Sequence, residues 1–404
     1  MRDVVITGVG VSTPLGDTLA DAWATLASGR SAVRSFPSPV PTRIRAAAWM
    51  DTDLTVGIPT ATVKMTDRVA HMAIHAGDRA MADAGIVPGS FDASRFGTLV
   101  GLGSVSSETM YEGHVSLLQR DYLGAMTLLK MLPNGPASQV SMRHGLKGEC
   151  LTYSVACASG TAAIGNGLRM IRDGYLDQAI VGGAEAPLGE STFRCWEAMR
   201  VLGKVDPARA GTTCRPYSKN RTGIVLGEGA ALFVIEAEEV ARARGARIYA
   251  RLKGYGASAD AGHITLPGQE GQISAMRAAL RDAGLLPTDI GYINAHGTAT
   301  GQGDIIETRS VREVFGAHAD QTPMSATKSI HGHPLGASGA IELVACLMAL
   351  CDGTLAPTVN LSEPDPECDL DYVPNVARRD VKVDAVMSNS FAFGGSNASL
   401  VITR

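Results

Sequence analysis

The sequence contains no C-x-x-C pair, and its seven cysteines are an odd number. This pattern argues against a disulfide framework and against a structural zinc site. We therefore expect a reducing, cytoplasmic compartment, in which most of the thiols are buried as small apolar side chains and one can be reactive. The cysteines are Cys150, Cys157, Cys195, Cys214, Cys346, Cys351 and Cys368.

An excess of charge of one sign is also absent, since the formal net charge is −4. No basic field therefore indicates binding to nucleic acid. We find no apolar run of transmembrane length, and residues 1–16 are too few and too rich in glycine for a signal peptide, so we expect no membrane association. With 404 residues, of which 45% are apolar, the chain can form two ordinary domains or one large one.

Short β-branched runs alternate along the chain with longer alanine-rich segments. Runs such as 4–6 and 97–100 are typical of strands, whereas segments such as 67–85 and 160–174 are typical of helices. Regular alternation of the two kinds predicts a fold of the α/β class, with helices packed on sheets.

The two halves of the sequence resemble each other. Residues 158–174 read ASGTAAIGNGLRMIRDG, and residues 337–353 read ASGAIELVACLMALCDG, with the same first three and last two letters and no gap. A second echo pairs DAGIVP at 83–88 with DAGLLP at 282–287. We infer an internal duplication, which predicts two similar α/β halves with a cleft between them that can hold a site.

Cys157 follows an apolar, β-rich run in the segment LTYSVACASG at 151–160, and a helical pattern of small residues begins directly after it. The free N–H groups and the dipole at a helix start favour a thiolate and can also hold an oxyanion. The alternative is a buried structural cysteine, and this segment alone leaves the two interpretations about equal.

Two segments of the second half carry histidines in glycine-rich loops. One reads YINAHGTATGQGD at 292–304 and contains His296; the other reads SATKSIHGHPLGASG at 325–339 and contains Lys328, His331 and His333. The H-x-H spacing invites a zinc site, but no carboxylate or cysteine stands beside the pair, so we expect no metal and a structural role for His331. A cysteine with His296 and His333 makes an acyl-transfer site plausible.

The chain resembles the β-ketoacyl-acyl carrier protein synthases of the thiolase superfamily, in particular the elongating type II enzymes. The resemblance spans almost the whole chain. It rests on VVITGVGVSTPLG at 4–16, VACASG around Cys157, VGGAEAP at 181–187, RPYSKNRTGIVLGEGA at 215–230, DAGHIT at 260–265, NAHGTAT at 294–300, TKSIHGHPLGASGA at 327–340 and SNSFAFGGSNASL at 388–400.

This resemblance implies a thiolase-like fold, with two pseudo-symmetric α/β halves in a five-layered α-β-α-β-α core. Residues 1–245 would form the half with the nucleophilic cysteine and the cap and dimer insertions. Residues 246–404 would form the half with the two catalytic histidines. The implied reaction is the decarboxylative condensation of an acyl thioester with malonyl-acyl carrier protein.

The same resemblance implies a role for each site residue. Cys157 would be the acylated nucleophile, His296 and His333 the paired histidines, and Lys328 their support. Phe393 would be the gate, with its backbone N–H joining that of Cys157 in an oxyanion hole.

Three further residues and the partners follow from the resemblance as well. Glu342 would support the lysine, while Thr298 and Thr300 would bind the phosphopantetheine arm of the carrier. No cofactor is implied, because the substrates are carried on acyl carrier protein. The family is dimeric, so we expect a homodimer or a heterodimer with a chain-length factor, with residues 101–140 supplying much of the cap and interface.

An acidic carrier protein calls for a basic surface patch, for which we expect the four residues Lys64, Arg68, Arg120 and Lys204.

The resemblance excludes two neighbouring classes. A thiolase would carry a second cysteine in the C-terminal glycine loop, where this chain has Phe393, Gly394 and Gly395, and a Cys-His-Asn enzyme would lack His333. A non-catalytic chain-length factor, which would lack Cys157, is kept as an alternative. The ketosynthase subunit of a type II polyketide or polyene pathway stays open, since the gate loop reads AFGG, and Ala392 is less able than glycine to adopt a positive φ.

Overall fold

The computed structural model describes residues 1–39, 44–104 and 107–404. Residues 105 and 106 of the expected cap lie outside that description. The strands are β1 (Val4–Ser12), β2 (Val33–Phe36), β3 (Arg45–Ala48), β4 (Phe96–Gly101), β5 (Cys150–Tyr153), β6 (Gln178–Glu185), β7 (Leu226–Gly227), β8 (Gly229–Ala237), β9 (Ala250–Ala259), β10 (Tyr292–Asn294), β11 (Met324–Ser325), β12 (Ala385–Phe391) and β13 (Ser396–Thr403).

Helices connect these strands. They are α1 (Leu19–Ser28), α2 (Thr60–Met65), α3 (Arg68–Asp83), α4 (Ser107–Arg120), α5 (Thr127–Met131), α6 (Gly135–His144), α7 (Ser159–Arg172), α8 (Glu190–Met199), α9 (Glu238–Ala243), α10 (Gln269–Ala283), α11 (Gly301–Phe315), α12 (Lys328–His331) and α13 (Ser338–Asp352). Short 3₁₀ turns at Ala156–Ala158 and Leu335–Ala337 lead into α7 and α13.

The sheet topology repeats in the two halves. The first half has the strand order β5-β4-β6-β8-β1, and the second has β11-β10-β12-β13-β9. Both orders read 3-2-4-5-1 when the strands of each half are numbered along the chain. Both have two parallel pairings followed by two antiparallel ones. The prediction of an α/β fold with two similar halves is confirmed, whereas the division between residues 245 and 246 stays a prediction.

The two halves form one continuous ten-stranded sheet. Their inner strands β1 and β9 pair antiparallel over three residues, from Val4 opposite Leu252 to Ile6 opposite Ala250. A small separate sheet of β2, β3 and β7 lies beside them. Helices α7 and α13 each contact strands of both halves.

Helices α7 and α13 pack against each other in the centre of the fold. Helix α3 packs on β1 and β8 of the first half, and α10 packs on β9 and β13 of the second. A helix enclosed by sheets and another helix must be apolar all round, and in α13 every residue from Ser338 to Leu350 is buried.

The expectation that no apolar run reaches membrane-spanning length was wrong. The segment Leu335–Asp352 passes that test by length and composition, and 89% of it is buried inside the protein. Its apolar character is explained by its place at the centre of the fold, where it contacts side chains on every face.

Candidate active site

Cys157 lies in the turn between β5 and α7, at the edge of a cavity of about 300 Å³. The turn is held locally by Ser159, whose hydroxyl donates to the carbonyl of Ala156 at 2.6 Å and accepts from the N–H of Val155 at 2.9 Å. Ala156 has a φ of 47°, which is unusual for a residue with a side chain. Such strain persists only where the surroundings enforce it, and here it directs the next residue toward the cavity.

The N–H group at the helix start lowers the pKa of the Cys157 thiol, as expected, but burial outweighs it in the protein without substrate. Burial raises the pKa of the Cys157 thiol to about 11, although the charge of Lys328 and the N–H groups of Phe393 and Cys157 act in the opposite direction. The free energy lost by removing a thiolate from water therefore exceeds the stabilisation that Lys328 and the two N–H groups provide. The side chain of Cys157 is a neutral thiol at pH 7. The two N–H groups do face the sulfur, which is the arrangement that an oxyanion hole requires.

His296 and His333 face Cys157 across the cavity. One ring nitrogen of each histidine and Sγ of the cysteine lie within 4.8 Å of one another, and the two rings meet edge to face at 5.5 Å. Burial, followed by the charge of Lys328, lowers the pKa of both histidines well below the usual value. Both rings are therefore neutral at pH 7, so each has one nitrogen that donates and one that accepts.

Hydrogen bonds indicate which nitrogen donates. Nδ1 of His296 lies 3.4 Å from Nζ of Lys328, and an ammonium group can only donate, so the hydrogen of His296 is on Nε2. Nδ1 of His333 lies 2.8 Å from Oγ of Ser338, and its Nε2 has no partner among the described residues. The direction of this second hydrogen bond depends on the tautomer of His333; with the Ser338 hydroxyl as donor, Nε2 carries the hydrogen and gives the cavity a second N–H group suited to a developing negative oxygen.

Lys328 and Glu342 form an ion pair that is fully buried on both sides. The ammonium group also donates to the carbonyl oxygen of His296 at 2.6 Å. Burial raises the pKa of Glu342 to about 7, against the opposing effect of Lys328. Helices α12 and α13 thus hold the backbone and the ring of His296 through one lysine.

Glu307, on α11, is a site residue that sequence reasoning missed. Its carboxylate accepts the backbone N–H of His296 at 2.7 Å and that of Gly297 at 2.8 Å, and the hydroxyl of Tyr217 donates to it at 3.0 Å. Gly297 has a φ of 31°, so the loop turns sharply at this point. No spacing rule connects a loop histidine with a carboxylate on the following helix, and only the folded loop reveals the contact.

Thr298, Thr300 and Phe393 line the same cavity. The two threonine hydroxyls lie 3.1 Å apart, and the ring of Phe393 stacks on that of Trp196 at 5.9 Å. Ala392 has an extended backbone with a φ of −109°, so the alanine in place of glycine causes no strain. The positive φ angles of this loop occur at Gly394 and Gly395 instead.

His331 lies apart from the cavity. It is buried, and its Nε2 bonds the hydroxyl of Thr327 at 3.0 Å. Within the described ranges, the side chains spaced closely enough to hold a metal ion are Cys157, His296 and His333. That the site works without a metal or cofactor stays a prediction.

The residues expected to receive an acidic carrier differ in their surroundings. Lys64, Arg120 and Lys204 are exposed. Arg68 instead donates to the buried carboxylate of Glu228 and, at 2.9 Å, to the carbonyl of Met50. The guanidinium charge of Arg68 is thus largely compensated by Glu228. The basic patch stays a prediction that rests mainly on the other three residues.

The first half of the chain, residues 1–241, matches the family Beta-ketoacyl synthase, N-terminal domain, and residues 249–362 match Beta-ketoacyl synthase, C-terminal domain. The chain is 42% identical to Nodulation protein E of Rhizobium leguminosarum bv. trifolii, over 100% of its length and 99% of the relative's. It is 39% identical to 3-oxoacyl-[acyl-carrier-protein] synthase 2 of Coxiella burnetii, with the same coverage. The solved structure of the ishigamide ketosynthase/chain length factor matches it at a TM-score of 0.92 with 32% identity, covering 100% of this chain and 99% of the other.

Proposed function

The chain belongs to the β-ketoacyl synthase family, and on that premise we propose that it joins an acyl group held on Cys157 to a two-carbon unit from malonyl-acyl carrier protein. The product is a β-ketoacyl carrier, and CO₂ is released. We assign the nucleophilic half of the site to residues 1–245 and the histidine half to residues 246–404.

The first step is acyl transfer. The thiol of Cys157 attacks the carbonyl carbon of an acyl carrier thioester, a new C–S bond forms, and the carrier thiol leaves with the proton. The negative oxygen of the tetrahedral intermediate is held by the N–H groups of Cys157 and Phe393, which face the sulfur. Because the thiol is neutral at rest, transfer depends on this stabilisation at the moment of attack.

The second step is decarboxylation and condensation. Malonyl carrier then places its phosphopantetheine arm beside Thr298 and Thr300 in the cavity, and the C–CO₂ bond of its malonyl group breaks to leave an enolate. Nε2–H of His296 and of His333 stabilise the enolate oxygen. The carbanion then attacks the acyl carbonyl on Cys157, a C–C bond forms, and the cysteine sulfur leaves to be protonated again.

One observation carries this proposal: the approach within 4.8 Å of the thiol and two neutral imidazole nitrogens, next to two backbone N–H groups. A neutral imidazole that donates is suited to an enolate, since it stabilises the charge without protonating the carbanion. The Lys328–Glu342 pair supports this function because it keeps Nδ1 of His296 an acceptor.

We propose acyl carrier protein as the partner that delivers both substrates, approaching Lys64, Arg120 and Lys204. The chain would act as a homodimer in fatty-acid-type elongation. A second arrangement, a heterodimer with a chain-length factor in a type II polyketide or polyene pathway, is favoured by the similarity to the ishigamide ketosynthase/chain length factor.

The test is to purify the chain alone, supply malonyl carrier with acyl carriers of graded length and unsaturation, and identify the products by mass. We expect β-ketoacyl products two carbons longer than the acyl donor, and none from Cys157→Ala. Cys214→Ala is the control, because Cys214 is another buried thiol away from the cavity lining. Elongation by Cys157→Ala would refute the proposal, and activity only with an added second subunit would favour the heterodimer.

A further inference from the structure

The turn before α13 repeats the turn that carries Cys157. Both are three-residue 3₁₀ turns that run into a helix beginning Ser-Gly, and their first residues, Ala156 and Leu335, have φ angles of 47° and 38°. Gly336 in the second turn therefore occupies the position that Cys157 occupies in the first. The duplication placed the same strained backbone on both sides of the pseudo-dyad.

The N–H of Gly336 is already bound to a carboxyl group. It donates to Oε2 of Glu185 at 2.9 Å. The same carboxylate accepts the N–H of Gly103 at 2.7 Å, the N–H of Ser104 at 3.2 Å and the hydroxyl of Ser104 at 2.6 Å. Glu185 is 1% exposed, and no cation pairs with it within the described part of the chain.

The segments that Glu185 holds are in close contact with the Cys157 turn. A methyl group on Gly103 would lie 2.8 Å from the nitrogen of Gly336 and 3.2 Å from the carbonyl oxygen of Ala156. A methyl group on Gly160, in the first turn of α7, would lie 2.9 Å from the carbonyl oxygen of Gly336. The two turns and the 103–104 loop are thus packed directly against one another.

From this geometry we propose that Glu185 is a positioning residue for the nucleophile, because it ties the second turn to the 103–104 loop and so holds the Cys157 turn against α13. The proposal rests on the function assigned to Cys157 above. It predicts that Glu185 affects the acyl-transfer step, in which the Cys157 turn takes part, more than the decarboxylation step, in which the histidines do.

Glu185 also acts on Cys157 through its charge. The carboxylate raises the pKa of the thiol, Lys328 lowers it, and the two histidines that face the thiol are neutral. Removing the charge should therefore shift formation of the thiolate to lower pH. This effect can be measured without any carrier protein, from the pH dependence of thiol alkylation.

The experiment compares Glu185→Gln, which removes the charge, with Glu185→Asp, which keeps the charge but shortens its reach. Glu236→Gln is the matched control, because Glu236 is an equally buried carboxylate held by Thr7, Gln178 and Arg244, and it lies outside the lining of the cavity. For each full-length variant, the rate at which iodoacetamide alkylates Cys157 is followed by peptide mass and measured against pH, alongside acyl transfer to the protein and decarboxylation of malonyl carrier. Thermal unfolding reports whether each variant is folded.

We expect the alkylation midpoint to fall in Glu185→Gln and to stay unchanged in Glu185→Asp and Glu236→Gln. Acyl transfer should drop about tenfold or more in both Glu185 variants, while decarboxylation changes much less, as expected when a reacting group is misplaced. If Glu185→Gln does not fold, the ratio of the acyl-transfer rate to the decarboxylation rate in Glu185→Asp tests the positioning role.

Two results would overturn the role of Glu185. One is acyl transfer at the unmodified rate in both variants, and the other is an equal loss of acyl transfer and decarboxylation, which would indicate a general structural effect. If the unmodified protein does not condense at all, the proposed function fails, and the alkylation profile still tests the effect of Glu185 on Cys157.

Discussion

The turns at Ala156–Ala158 and Leu335–Ala337 have the same backbone form and face different surroundings. The second holds the carboxylate of Glu185 on the N–H of Gly336. The first presents Cys157 to an open cavity with two histidines opposite. The second turn thus shows that this backbone donates an N–H to a carboxyl oxygen, which supports the assignment of an oxyanion site to the first. What separates a reactive turn from a structural one is the group that faces it.

The largest effect on the reaction rate should come from replacing Lys328, which holds His296 in the loop opposite the Cys157 turn. In Lys328→Met, Nδ1 and the carbonyl of His296 lose their donor and Glu342 is left buried without its cation, so His296 can no longer be held as an Nε2 donor. We expect decarboxylation of malonyl carrier to fall by about 10² to 10³, the usual cost of a lost oxyanion donor.

Lys253→Met is the control for that prediction, since Lys253 is a partly exposed lysine outside the cavity lining whose ammonium group lies 3.4 Å from Asp3. The rate of CO₂ release measured with a carbon-labelled malonyl group reports the step directly. Decarboxylation at the unmodified rate in a folded Lys328→Met protein would mean that Lys328 does not prepare His296 for catalysis. The difference between the two turns would then not depend on this lysine.

The next effect concerns the pH dependence of stability. Burial raises the pKa of Glu185 in the folded protein to about 7 from an ordinary value of 4.5. Between these two pH values the folded state binds the proton more firmly than the unfolded state. Stability from this group is therefore present below pH 4.5 and is lost as the pH rises through 7, by about 3 kcal/mol in total.

Chemical denaturation of the unmodified protein and of Glu185→Gln across this range tests that sign. The free energy of unfolding should fall less steeply with rising pH in the variant, because glutamine does not titrate. Parallel curves for the two proteins would mean that the carboxylate is ionised throughout, and that the second turn binds it more strongly than its burial opposes it.

The smallest effect should come from filling the second turn. In Gly336→Ala, the added methyl group would lie 2.2 Å from the nitrogen of Gly103 and 2.8 Å from Oε2 of Glu185, so backbone must shift. We expect a loss of about 2 kcal/mol in the free energy of unfolding, as for an overpacked core. Gly135→Ala is the control, since nothing lies within 4 Å of the added methyl group there. Equal stability of the two variants would mean that the contact between the turns is loose.

The gate loop illustrates how far sequence reasoning reached. The AFGG motif at 392–395 correctly drew attention to backbone conformation, but the concern about Ala392 was misplaced, because the positive φ angles occur at Gly394 and Gly395. Glycine in a motif indicates that a turn contains a positive φ angle. Hydrogen bonds with distant segments decide which residue adopts that angle. Here the N–H of Gly394 bonds the carbonyl of Ile264.

The sequence by itself determined the α/β class, the duplication and the list of reactive side chains, because strand and helix periods and short motifs are local properties. Tertiary structure alone decided which groups act on Cys157. Burial makes its thiol neutral, Glu307 holds the loop of His296, and Glu185 holds the opposing turn. These effects depend on desolvation and on contacts between segments far apart in the chain, and no spacing along the sequence encodes either of them.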